Sequence, residues 1–145
     1  MKTCRTLVVT GASRGIGAAV AQLAGSRGYS VAVNFRSDEA AARAVVNEIR
    51  SSGGSSVAIR GDVAVEADII HLFQDAEQEL GPIYGLVNNA GVTGGFSRVE
   101  TLKAANLAQV LNANIAGTIL CSREAVKRMS NRRGGGEESS SISPL

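Results

Sequence analysis

The chain has 145 residues, the length of a single domain, and its 44% hydrophobic and 19% charged residues suit a globular core. A net charge of +2 is too small to indicate a nucleic-acid partner, and no apolar run approaches membrane-spanning length. Glycines interrupt the N-terminal apolar run too early for a signal peptide, so we interpret it as mature sequence. Cys4 and Cys121 lack metal-type spacing and are interpreted as small buried residues of a cytoplasmic protein.

A phosphate-binding turn is predicted directly after the first strand. Residues 7–9 form a short apolar strand, and the segment T-G-A-S-R-G-I-G (10–17) leads into a helix. Glycines let the backbone approach an anion closely, and the free N–H groups of a first helical turn point at it. The spacing G-x-x-x-G-x-G differs from the commoner G-x-G-x-x-G motif, and alone it also fits a generic turn–helix junction.

The next elements predict a strand–helix–strand unit and therefore a parallel sheet. Residues 15–27 are predicted to be a helix that Gly28 ends, and Tyr29–Phe35 to be the second strand. The helical residues predicted to pack on the sheet are Ile16, Val20, Leu23 and Ala24.

The tip of the second strand distinguishes the two nicotinamide cofactors. A site selective for NAD has an acidic residue there, which accepts a hydrogen bond from the ribose 2′-hydroxyl. This chain has Arg36 and Ser37, and Arg36 together with Arg14 suits a 2′-phosphate, so NADP(H) is favoured over NAD(H). Asp38 begins S-D-E-A and is interpreted as a helix cap. An ordinary solvated surface charge is the alternative interpretation of Arg36.

Further helices are predicted over residues 38–52, 65–80 and 102–130, with strands over 57–60 and 83–87. Asp62, just past the third strand, either lies on the ligand edge of the sheet or caps the next helix. His71 has no ligand cluster around it in the sequence and is interpreted as a surface residue. Asn112 and Asn114 interrupt the long helix, which indicates a functional kink there.

Four motifs, in their order and spacing, resemble the classical short-chain dehydrogenase/reductase family over residues 5–133. They are T-G-A-S-R-G-I-G (10–17), Asp62-Val63, N-N-A-G (88–91) and N-I-A-G (114–117). The resemblance implies an α/β Rossmann-type doubly wound parallel sheet and hydride transfer between NAD(P) and an alcohol or carbonyl. The segment at 121–129 is similar to bacterial sugar-dehydrogenase and 3-oxoacyl-reductase members.

The resemblance also implies a role for each motif residue. The cofactor pyrophosphate and ribose would be held by Gly11, Ser13, Arg14, Gly15, Ile16 and Gly17. Arg36 and Ser37 would meet the 2′-phosphate, and Asp62 and Val63 would flank the adenine. The ribose side of the nucleotide would be lined by Asn89, Ala90 and Gly91. Asn114 would be the catalytic Asn, which organises a water in the proton relay.

The sequence departs from the family in its catalytic residues. The family's catalytic Ser and Tyr-x-x-x-Lys lie beyond the fifth strand and are absent here, and neither Tyr29 nor Tyr84 is followed by a suitable Lys. Because the reaction needs a Tyr hydroxyl as general acid and base, the chain is expected to be inactive as written. Residues 1–133 are expected to form an incomplete Rossmann domain with strand order 3-2-1-4, in which strand four is an exposed edge.

The last residues, 134–145, are polar and are predicted to be disordered and strandless. A back-translation of 137–145 contains R-V-V-I-N-I-S-S in another reading frame, which is a strand of the kind the family has at this point. We therefore hypothesise a frameshift near 134–137, with coincidence as the alternative because codon choice is free.

Three functional hypotheses follow. The chain is by lineage an NADP(H)-dependent oxidoreductase for small-molecule carbonyls or alcohols, or a non-catalytic nucleotide-binding fragment, or a pseudogene product. We expect no metal, nucleic-acid or membrane partner. The family associates through its fourth and fifth long helices, so a homo-oligomer is a further expectation.

Overall fold

A computed structural model describes residues 5–130 and the backbone of residues 142–144. Parallel strands form one sheet in the order β3-β2-β1-β4-β5, so the predicted Rossmann-type order 3-2-1-4 is confirmed. The strands are β1 (Thr6–Val9), β2 (Ser30–Phe35), β3 (Ser55–Arg60), β4 (Ile83–Asn88) and β5 (Ile142–Pro144). The α-helices are α1 (Gly15–Ser26), α2 (Glu39–Ser51), α3 (Glu66–Leu80), α4 (Ala104–Leu111) and α5 (Gly117–Met129).

The tail contributes a short strand that the sequence analysis did not predict. Residues 142–144 pair in parallel with Leu86–Asn88 of β4, so the expectations of a strandless tail and of β4 as the sheet edge are wrong at these positions. A parallel partner needs only backbone N–H and C=O groups in an extended segment, so polar composition does not forbid it. The predicted disorder of residues 134–141, and Cys4, lie outside the described residues.

Helices cover both faces of the sheet because successive strand residues point to opposite sides. Val9, Val31 and Val33 pack on one side with α1 and α2. Val8 and Ala32 pack on the other side with α3 and α5. Cys121 of α5 lies in this second core, as predicted, and burial raises the pKa of its thiol to about 12, so the thiol stays protonated at neutral pH.

The prediction for the buried face of α1 is confirmed at Ala24, which is buried, and at Val20, which packs against the core, but is wrong at Ile16 and Leu23. Ile16 and Leu23 are 71% and 55% exposed, and the buried residues are small: Gly17, Ala21, Ala24 and Gly25. A Cβ on Gly25 would lie 2.7 Å from Ile49 Cγ2 of α2. The helix therefore packs so closely on α2 at Gly25 that only a small residue fits there, and Ile16 and Leu23 face away.

The predicted long helix is interrupted at the predicted place. A π-helical turn at Asn112–Ala116 separates α4 from α5. Several large apolar side chains along these helices are exposed, namely Leu107, Leu111, Ile115, Ile119 and Val126. Within residues 5–130 and 142–144, no helix has the length and apolar character needed to cross a membrane.

An ion-pair network joins α5 to α3. Glu124 is only 3% exposed, and its carboxylate accepts hydrogen bonds from Arg128 Nη1 at 2.7 Å and Lys127 Nζ at 3.0 Å. Arg128 also pairs with Glu77 of α3 at 2.8 Å and lies over the Phe73 ring. Burial alone raises the pKa of Glu124, but the hydrogen bonds and charges of Arg128 and Lys127 outweigh it, so this pKa lies below its usual value.

Glu124→Gln is expected to lower the free energy of unfolding by about 2 kcal/mol, because it removes a buried negative charge that compensates Arg128. Since the folded-state pKa of Glu124 is depressed, this contribution is present above the ordinary carboxyl pKa and is lost as the pH falls through the lower folded-state pKa. Urea unfolding from pH 7 to pH 3 measures both effects.

Glu39→Gln is the matched control, because Glu39 forms an exposed i,i+4 pair with Arg43. Its cost should stay below about 0.5 kcal/mol. Equal costs for the two variants would contradict the assignment of a stabilising role to the Glu124 network.

Candidate functional site

A cleft of about 600 Å³ opens at the carboxyl ends of β1, β2, β3 and β4. It brings together every residue predicted to bind a cofactor except Gly17, which lies buried behind the turn. The predicted residues at the cleft are Gly11, Ser13, Arg14, Gly15, Ile16, Arg36, Ser37, Asp62, Val63, Asn89, Ala90 and Gly91. Asn114 does not line it.

The glycine turn between β1 and α1 explains the G-x-x-x-G-x-G spacing. Gly11 and Gly15 have φ angles of 60° and 59°, which side-chain-bearing residues rarely adopt. A Cβ on Gly17 would meet the side chain of Asn89 and lie 2.6 Å from Gly11 O. Arg14, in the N-cap position of α1, makes no side-chain cap, and no acid occupies the first turn. The N-terminal dipole of α1 is therefore suited to an anion in the cleft.

Hydrogen bonds of Thr10 connect this turn to the segment after β4. Its Oγ1 accepts hydrogen bonds from the backbone N–H groups of Asn89 and Ala90, each at 3.0 Å. In return, Asn89 Nδ2 donates to Thr10 O at 3.1 Å and to Gly11 O at 2.9 Å. Asn89, predicted to line the ribose side of the nucleotide, thus also holds the backbone of the glycine turn, and the role of Thr10 was not predicted.

Asn34 was also missed. It lies near the end of β2, is 2% exposed and borders the cleft. Its Oδ1 accepts from Gly11 N at 3.1 Å, and its Nδ2 donates to Ile59 O at 3.3 Å and to Gly61 O at 3.1 Å. The only sequence signal was an amide inside an otherwise apolar strand, S-V-A-V-N-F.

Charged groups gather where β2 and β3 end. Arg36 Nε lies 3.9 Å from Asp62 Oδ2, and Arg60 Nε donates to Arg36 O at 3.3 Å. Asp38 accepts from Ala41 N at 3.0 Å, which confirms it as the N-cap of α2. Asp62 lines the cleft and is not the N-cap of α3: its Oδ1 accepts from Ala64 N, and Val65 is the N-cap of that helix.

Asn114 lies in the π-helical turn and holds the other side of the segment after β4. Its Oδ1 accepts from Val92 N and its Nδ2 donates to Val92 O, both at 2.8 Å. Each polar atom of the carboxamide therefore makes one backbone hydrogen bond and retains one further hydrogen-bonding position. In the described part of the chain, no group of three or more His, Cys, Asp or Glu could hold a metal ion, and His71 is exposed as predicted.

One family model and two sequence relatives show what the chain is similar to. A family model for short chain dehydrogenase matches residues 5–137. The uncharacterized oxidoreductase YgfF of Escherichia coli is 42% identical over 128 residues, which are 88% of this chain and 52% of that protein. The 3-oxoacyl-[acyl-carrier-protein] reductase FabG of Staphylococcus aureus is 35% identical over 135 residues, 93% of this chain and 54% of that protein.

Solved structures agree with these sequence matches. A variant of a Serratia marcescens short-chain dehydrogenase/reductase has a TM-score of 0.84 and 32% identity, covering 88% of this chain and 51% of that one. A Burkholderia cenocepacia short chain dehydrogenase in complex with NADP has a TM-score of 0.83 and 30% identity, covering 86% and 51%. The chain belongs to the short-chain dehydrogenase/reductase family and spans about half the length of the relatives it matches.

Thr10→Val is expected to lower the free energy of unfolding by about 1–3 kcal/mol, because the isosteric side chain leaves the Ala90 amide without its acceptor. Thr6→Val is the matched control at the other end of β1. Thr6 is equally buried but only donates to Leu80 O, so its loss should cost less. Chemical denaturation measures both, and a Thr6→Val cost that equals or exceeds that of Thr10→Val would contradict the role given to Thr10.

Proposed function

We propose that this chain is the NADP(H)-binding portion of an oxidoreductase that transfers hydride between the cofactor and a small-molecule alcohol or carbonyl. The observation that carries the proposal is the charge at the end of β2. Arg36 and Arg14 both line the cleft, while the carboxylate of Asp38 is occupied by the N-terminus of α2. A 2′-phosphate is therefore better matched at this tip than a 2′-hydroxyl.

The cleft residues divide into groups along the proposed nucleotide. The pyrophosphate would lie at the glycine turn and the start of α1, where Ser13 and Arg14 add a hydroxyl and a positive charge. Arg36 and Ser37 would hold the 2′-phosphate, and Asp62 and Val63 would flank the adenine. Asn89, Ala90 and Gly91 would line the ribose side.

When bound, NADP(H) supplies the hydride, and the protein's part is to orient it and to handle the proton. The proposed catalytic residue in this chain is Asn114, which would organise a water in the proton relay. Its carboxamide already fixes the Val92 backbone, so the π-helical turn is held in place before any ligand binds.

A second candidate function is a nucleotide-binding fragment without catalysis. Tyr29 and Tyr84 lie near the opposite end of the sheet, with ring centroids 6.0 Å apart, and neither lines the cleft. Within the described residues, the cleft therefore has no tyrosine hydroxyl to act as general acid. A pseudogene product, the third hypothesis, would neither bind NADPH nor turn over.

Cellular setting and assembly are part of the same proposal. We assign the protein to the cytoplasm, and we expect copies to associate through α4 and α5. The exposed apolar side chains of these helices support self-association, because contiguous apolar surface is costly in water.

Arg36→Ala is expected to weaken NADPH binding about tenfold or more and to leave NADH binding unchanged, because it removes charge-assisted hydrogen bonds to the 2′-phosphate only. Fluorescence titration of both cofactors measures the two affinities. Arg43→Ala is the matched control: this arginine is exposed on α2 and does not line the cleft. Equal losses for NADPH and NADH in Arg36→Ala would contradict the 2′-phosphate assignment.

The 145-residue polypeptide is expected to bind NADPH without oxidising it above background, because its 145 residues contain no Tyr-x-x-x-Lys. NADPH consumption with 3-oxoacyl thioesters and with sugar substrates measures this. Turnover well above background would overturn the assignment of inactivity, and absence of NADPH binding by the folded chain would favour the third hypothesis.

A further inference from the structure

Asn34 is a buried amide whose oxygen and nitrogen are both hydrogen-bonded to backbone at the ends of two other strands. Gly11, in the glycine turn, donates to its Oδ1, and Ile59 O and Gly61 O, at the end of β3, accept from its Nδ2. The other side chains of β2 from Val31 to Phe35 are apolar and buried. A buried amide in such surroundings is unfavourable unless it is fully bonded, so its presence calls for a reason.

The partners of Asn34 lie on strands that do not touch each other. β2 lies between β1 and β3, and the Asn34 side chain reaches across the end of the sheet to both. Backbone bonds reinforce the same junction: Ala12 N donates to Asn34 O at 2.8 Å, and Gly61 N donates to Phe35 O at 2.9 Å. The carboxamide therefore connects the glycine turn to the end of β3 and the loop that carries Asp62.

We propose that Asn34 is a positioning residue that fixes the distance between the phosphate end and the adenine end of the cleft. This inference rests on the proposed NADP(H) site. A nucleotide that spans both ends meets two loops already at the right separation, so it loses less free energy in ordering them. A ligand that occupies only the adenine end gains nothing from the fixed separation.

Two nucleotides that differ by one phosphate test the proposal. 2′-AMP reaches the Arg36 and Asp62 end, and 2′,5′-ADP adds a 5′-phosphate at the glycine turn. The dissociation constant of 2′-AMP divided by that of 2′,5′-ADP, both measured by calorimetry, reports how much affinity is gained by spanning both ends. In Asn34→Ala this ratio is expected to fall about tenfold relative to the unmodified chain, because the variant binds 2′,5′-ADP more weakly.

Ser56→Ala is the matched control. Ser56 is equally buried, and its Oγ donates to Val31 O at 2.8 Å, so it also joins β3 to β2, but far from the cleft. Ser56→Ala is expected to lower stability and to leave the ratio unchanged. An unchanged ratio in folded Asn34→Ala would overturn the positioning role and leave the NADP(H) site standing. Failure of the unmodified chain to bind either nucleotide would overturn the site and, with it, the inference.

Hydrogen exchange in the unliganded, unmodified chain keeps the test decisive where Asn34→Ala does not fold. The Gly11 amide, which donates to Asn34 Oδ1, should exchange slowly before any nucleotide is added, because the proposal needs the two loops fixed in advance. Exchange of the Gly11 amide that becomes slow only after 2′,5′-ADP is added would overturn the proposal.

Discussion

The hydrogen bonds between Thr10 and the Asn89–Ala90 backbone are the contact on which the cleft depends. They join the end of β1 to the end of β4, and Asn89 returns two bonds to the glycine turn. The glycine turn and the segment after β4 lie so close together that a Cβ on Gly11 would be 2.9 Å from Ala90 Cα. Both the glycines of the turn and the amides after β4 are therefore parts of one packed junction rather than two separate motifs.

The segment after β4 is held from two sides. Thr10 bonds Asn89 and Ala90 from the sheet, and Asn114 bonds Val92 from the π-helical turn. A π-turn inserts an extra residue into a helix and is frequent at functional sites, because it redirects one side chain without ending the helix. Here it lets Asn114 meet Val92 while α5 continues into the core through Cys121 and Ala125.

Much of this site could be predicted from the sequence, because its residues follow strand ends in a parallel sheet. The carboxyl ends of parallel strands meet at one edge, so Gly11, Arg36, Asp62 and Asn89 were expected together and line one cleft. Thr10 and Asn34 were not predicted, since their bonds join positions far apart in the chain. Ile16 and Leu23 of α1 were predicted to pack on the sheet but are exposed, because apolar periodicity favours large residues whereas close packing selected small ones.

The N-cap of α2, Asp38, limits which coenzyme the proposed site can be changed to accept, because the fold also needs this residue. Asp38 is committed to Ala41 N, and α2 behind it buries Val45, Val46 and Ile49 in the core. In the proposed site, Asp38 cannot accept a hydrogen bond from a ribose hydroxyl without giving up its bond to Ala41 N and destabilising α2. A redesign for the unphosphorylated coenzyme would therefore have to install its carboxylate elsewhere on the β2 tip, leaving Asp38 where it is.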